Sequence, residues 1–158
     1  MMIADINKVD NGYLVKWERN LNHSVEAVWA MLTDNNKLEK WFNELRAGDL
    51  RQGGFMTFYI PDFMDEKLEI MVYEPNSVLE FDWFGDVIRF ELHPQNGGCA
   101  LILLEKVKTI TAQTKKDLAG WHVCLDVIIT LLDGEPIQRE DEWKHWHAIY
   151  TDKLKELV

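Results

Sequence analysis

DLAGWHVCLDVIITLL, residues Asp117 to Leu132, is the stretch on which the fold turns. At helical spacing its apolar face reads Leu118, Trp121, Leu125, Ile128, Ile129 and Leu132. His122 lies inside that stripe, directly after a tryptophan. A helix of this length spans about 24 Å at roughly 1.5 Å per residue, enough to lie across a whole sheet. The residues before it are mostly strand-like, so a sheet is there to be covered. A solid sandwich of the two would be a core. A hollow one would bind something, and Trp121 and His122 would face it.

Outward from this helix the pattern stays readable. Asp133-Gly134-Glu135-Pro136 stops it, with Gly134 in the usual C′ position. A last helix, about Glu140 to Leu157, carries Trp143, Trp146, His147, Tyr150 and Leu154 on one face. Upstream, Tyr13 to Arg19 reads as a strand, opened by Asn11-Gly12. Ser24 is an N-cap for a helix that presents Ala27, Val28, Met31 and Leu32. Asp34-Asn35-Asn36 breaks that helix, and Lys37 to Phe42 forms a short helical turn.

From Leu45 to Lys108 strands and turns alternate. Gly53-Gly54 precedes FMTFYI, and Pro61-Asp62 ends it. Leu68 to Tyr73 is closed by Pro75-Asn76-Ser77. Val78 to Phe84 puts Leu79, Phe81 and Trp83 on one face, against Glu80 and Asp82. Val87 to His93 alternates likewise, and Cys99 to Lys108 follows the Asn96-Gly97-Gly98 turn. Consecutive strands with short turns predict an antiparallel meander. The fold class expected is α+β in two layers, as a single domain over 1–158 with an appended helix at about 140–157.

Composition narrows the partners. Hydrophobic residues make up 47% of the 158, a globular composition. Seventeen basic residues against 27 acidic ones give a net charge of −10. That charge repels nucleic acid and anionic membranes. Two separated cysteines, Cys99 and Cys124, form no zinc or disulfide pattern. No apolar run reaches membrane-spanning length, and MMIADINKVDNG has no signal-peptide core. A cytoplasmic protein without metal or cofactor is the expectation. The Glu142-x-x-His145 spacing occurs once where a carboxylate-bridged site needs it twice.

Five segments in order resemble a known family: VEAVWAMLTDNNKLEKWF, DLRQGGFMTF, YEPNSVLEFDW, NGGCALILLE and AGWHVCLDVI. Together the likeness covers about residues 14 to 157. The chain is similar to the START-like (SRPBCC) superfamily, in the branch of Hsp90 ATPase activator homologues. The resemblance implies a helix-grip fold, a curved antiparallel sheet wrapped around a long C-terminal helix and often enclosing an apolar cavity. It does not imply one activity, because the superfamily holds carriers, cyclases and co-chaperone domains.

Three functions compete. The reading preferred is a non-enzymatic domain binding a small apolar or amphipathic ligand between sheet and helix. Trp121, His122, Leu125 and Ile129 would line one wall, and Trp41, Phe58, Phe81 and Trp83 the other. Aromatic lining with a few polar groups is the usual chemistry of such sites. Glu105 joins them if Leu101 and Leu103 point inward, and a buried carboxylate then needs a partner such as His122. The second reading is a co-chaperone-like interaction domain with a chaperone as partner. The third is a cyclase or hydrolase using His122, as general acid or base, with Glu105 inside the cavity.

Overall fold

The computed structural model describes residues 2–157. Met1 and Val158, the outer limits of the expected domain, lie outside the described residues. The chain divides into two compact units, residues 4–108 and residues 109–157 with 2 and 3.

The first unit holds β1 (Asp5–Val9), β2 (Gly12–Leu21), α1 (Val25–Thr33), α2 (Asn35–Trp41), β3 (Leu45–Asp49), β4 (Phe55–Ile60), β5 (Met64–Glu74), β6 (Val78–Trp83), β7 (Asp86–Gln95) and β8 (Gly98–Val107). Its strands make one eight-stranded sheet in the order β1-β2-β8-β7-β6-β5-β4-β3. Every pairing is antiparallel. Strands β3 to β8 are the expected meander. The first hairpin, however, joins at the far side, where β2 pairs with β8 through Trp17 and Leu103. Strand β1 escapes a reading of the sequence because DINKV has no apolar alternation; it is a nearly bare edge strand. What makes it is the turn at Gly12. There φ is +140°, and a Cβ would meet the Val107 carbonyl oxygen at 2.2 Å, so only glycine fits.

Alternation sets the buried face. Val15, Trp17, Arg19 and Leu21 of β2 share it with Leu101, Leu103, Glu105 and Val107 of β8. Ile88, Phe90 and Leu92 of β7 and Leu79, Phe81 and Trp83 of β6 continue it. Helix α1 packs on β7 and β8. Ser24 caps it as expected, its hydroxyl accepting the Ala27 N–H at 3.1 Å. Asp34 ends α1 and caps α2, accepting the Asn36 N–H at 2.9 Å. Helix α2 therefore starts at Asn35, two residues before the expected turn.

The free edge of β3 is closed by one side chain. The Asn35 carboxamide accepts the Ala47 N–H at 2.8 Å and donates to the Ala47 carbonyl at 3.1 Å, standing in for a neighbouring strand. Asn35→Ala should lower the urea-unfolding free energy by about 1–2 kcal/mol for two lost bonds. A loss under about 0.5 kcal/mol, the ordinary surface range, would mean that water serves Ala47 as well.

On the opposite face, Arg89 bridges Glu91 at 2.6 Å and Glu80 at 3.2 Å, and His93 meets Glu91 at 3.1 Å. Burial pushes the Glu91 carboxyl up, but the bonds from Arg89 and His93 outweigh it and hold it below its ordinary 4.5. A depressed carboxyl stabilises the fold above its unfolded value and loses that contribution as pH falls through the folded one. Acid unfolding below about pH 4.5 should thus be partly a Glu91 titration. Glu91→Gln should flatten the stability profile there, and an unchanged slope would assign it to other carboxyls.

The second unit holds α3 (Thr114–Asp133) and α4 (Arg139–Lys155), which pack on one another. Gly134 ends α3 at φ +72°, as the sequence predicts. All eight residues from Trp121 to Ile128 are buried, which is more than an amphipathic stripe. Helix α4 buries Trp146, Tyr150 and Leu154 and is otherwise half-buried or exposed. Among the described residues no helix is long and apolar enough to cross a membrane.

Candidate ligand-binding site

In the sheet unit, the alternation of β6 delivers Phe81 and Trp83 to the buried face, and β4 delivers Phe58 beside them. Trp83 is the hub. Its ring meets Phe58 at 5.7 Å, Phe42 at 5.8 Å and Phe81 at 6.4 Å, all edge-on. Edge-to-face contacts at these spacings suit the ring quadrupoles. Trp41 extends the group through Phe42 and Phe90, at 6.1 and 6.3 Å. Its indole N–H donates to the Met31 carbonyl at 2.7 Å, so its polar end is satisfied and its position fixed. The structure thus brings Trp41, Phe58, Phe81 and Trp83 into one aromatic network.

Phe42 and Phe84 belong to that network, though Phe84 reads from sequence as the end of a strand. Phe84 instead leaves β6 in the left-handed region, at φ +53°. The Asp82 carboxylate accepts the Gly85 N–H at 3.2 Å and holds this turn. The result is an aromatic ring 51% exposed that touches Trp83 at 5.1 Å and Phe58 at 5.4 Å. The only sequence signal for it is the Phe-Gly-Asp turn, which gives a bend but not its handedness.

Glu105 follows the parity of its strand. It is 1% exposed, on the face of Leu101 and Leu103, with Val15 and Ile88 as cross-strand neighbours.

In the helical unit, Trp121, His122 and Leu125 are buried and Ile129 half-buried on α3. His122 has no exposed surface. Its Nδ1 lies 2.7 Å from the Tyr150 hydroxyl, and its ring stacks on Trp146 at 3.7 Å. Nε2 is 3.6 Å from the Asp126 carboxylate, the neighbour one turn on that the sequence suggests. Tyr150 and Trp146 could not be paired with His122 from spacing, because they lie on another helix. Among the described residues, no group of three or more His, Cys, Asp or Glu is placed to hold a metal ion.

This architecture occurs in solved structures. A conserved protein of unknown function from Enterococcus faecalis has a TM-score of 0.88 and 26% identity, over 98% of this chain and 92% of that one. A Bordetella parapertussis protein has a TM-score of 0.71 and 22% identity, over 96% and 92%. The Aha1 dimer from Colwellia psychrerythraea has 0.63 and 17%, over 74% and 93%. They establish an α+β fold of the helix-grip type, with an open curved antiparallel sheet and a long C-terminal helix. No curated protein sequence matches. The family described as activator of Hsp90 ATPase homolog 1-like protein matches residues 22–133, from the residues before α1 to the end of α3. The chain belongs to the family of activator of Hsp90 ATPase homolog 1-like proteins.

Proposed function

We propose that this protein is a non-enzymatic START-like domain that takes a small apolar or amphipathic molecule against the aromatic network of Trp41, Phe58, Phe81 and Trp83. The observation that carries this reading is Phe84. A left-handed conformation costs an L-residue about 1–2 kcal/mol. Here the cost is borne by a bulky aromatic that stays half in water. Backbone outliers of this kind gather at ligand clamps, where the surroundings hold them in place. Phe84 is the exposed margin of an aromatic surface in which Phe42 and Phe58 are half-buried, and an apolar ligand laid against it would be shielded from water. In this reading His122, engaged by Tyr150 and Trp146, fastens α4 to α3 and does no chemistry.

Titration with 2-naphthol, followed by tryptophan fluorescence, tests the reading. Phe84→Ser should weaken binding about ten-fold or more, the worth of one buried aromatic contact, while the fold is kept. Equal affinity in the variant would remove Phe84 from the site.

A second reading, a protein-interaction role of the co-chaperone type, draws on the family description and on the β4–β5 hairpin. There Phe63 is 78% exposed and Tyr59 is 47% exposed, beside Asp62, Asp65 and Glu66. Charge reversal of those three acids should abolish such an interaction and leave naphthol binding intact.

A further inference from the structure

A groove of about 420 Å³ lies where the β1–β2 turn, the β6–β7 turn and the end of β8 meet. Its volume is within the range of small-molecule sites, roughly 300–1,000 Å³. Val9, Tyr13, Val87 and Val107 supply apolar wall, and Lys106 and Lys108 supply charge. The rim is fastened by Asp86, whose carboxylate accepts the Lys108 backbone N–H at 3.1 Å. Gly85, with open space where a Cβ would stand, lines the groove beside that turn.

The two lysines set the charge of the groove. The chain has ten more acidic than basic groups. Arg46, Arg51 and Arg89 each have a carboxylate within 4.0 Å, as do Lys16 and Lys155 among the lysines. Among the described residues, neither the Lys106 nor the Lys108 ammonium has one. Two carboxylates lie at the groove, Asp10 in its wall and Asp86 on its rim, the latter engaged by the Lys108 backbone N–H. Two uncommitted cations beside an apolar channel suit a ligand with an apolar body and an anionic head. A neutral ligand would leave the ammonium groups unused, and a bare anion would leave the valines wet.

We propose that this groove is a second binding site, for a straight-chain carboxylate whose head meets Lys106 and Lys108 and whose tail lies along Val9, Tyr13, Val87 and Val107. The groove's lining and the aromatic network share no residue, but both adjoin the β6–β7 turn, where Gly85 lines the groove and Phe84 belongs to the network.

Calorimetric titration of the full chain with decanoate at low salt tests it, with decanol and acetate as controls. Decanoate should bind. Decanol, which lacks the charge, and acetate, which lacks the tail, should bind at least about ten-fold more weakly. The double variant Lys106→Ala, Lys108→Ala should weaken decanoate about ten-fold at an unchanged melting temperature, since both side chains are exposed. The proposal is overturned if decanoate gives no heat, if decanol matches it, or if the double variant binds as the parent does. It is equally overturned if Phe84→Ser abolishes decanoate binding while the lysine variant keeps it, because the carboxylate would then sit on the aromatic network.

Discussion

Trp83→Ala is expected to destabilise the protein by about 3–5 kcal/mol, the range for emptying a large aromatic from a packed core. The indole is the hub of the sheet's aromatic network, meeting Phe42, Phe58, Phe81 and Phe84. Its neighbours come from β4, β6, the β6–β7 turn and the end of α2, so no single element can move in to fill the space. At about 2–4 °C per kcal/mol for a chain of this size, the melting temperature should fall by about 6–20 °C. Trp83→Phe keeps most of the contact and should lose about half as much. If Trp83→Ala cost less than about 1 kcal/mol, the network would have to be loosely packed, and Phe84 would have no firm surface to lie on.

The second large effect is expected at His122. His122→Ala removes a fully buried ring, the stack on Trp146 and the bond to the Tyr150 hydroxyl. Truncation of the ring and loss of that bond together should cost about 2–5 kcal/mol. Tyr150→Phe keeps the packing and removes only the hydroxyl, so it should cost about 1–2 kcal/mol. Urea unfolding orders the two variants, and hydrogen exchange locates the damage. Protection should fall first in α4, whose buried anchors are Trp146, Tyr150 and Leu154. If both variants unfold like the parent, the His122 cluster is not what holds α4 to α3.

The outline of the fold could be read from the sequence because its signals are local. Alternation in Val78 to Trp83 named the buried face of β6, and Ser24 and Gly134 named helix ends through backbone chemistry that acts over one turn. Where a signal was not local, reading stopped. DINKV has no apolar face, and only its pairing with β2 makes it a strand. The junction of β2 with β8 joins residues some ninety positions apart, for which no spacing rule exists. The candidate site divides the same way. The parity of β8 fixed Glu105 on the face of Leu101 and Leu103. The partners of His122 lay on a helix whose packing the sequence left open, and the left-handed turn at Phe84 is a property of the folded chain.

The aromatic network is expected to take an apolar ligand. Thermal melting of the full chain against a broad panel of aromatic and lipid-like compounds tests it most directly. A ligand at one hundred times its Kd stabilises the native state by about 2.7 kcal/mol. For this chain that is a rise of about 5–10 °C, and Phe84→Ser should reduce it. A panel in which no compound raises the melting temperature would mean that the network is only a packed core.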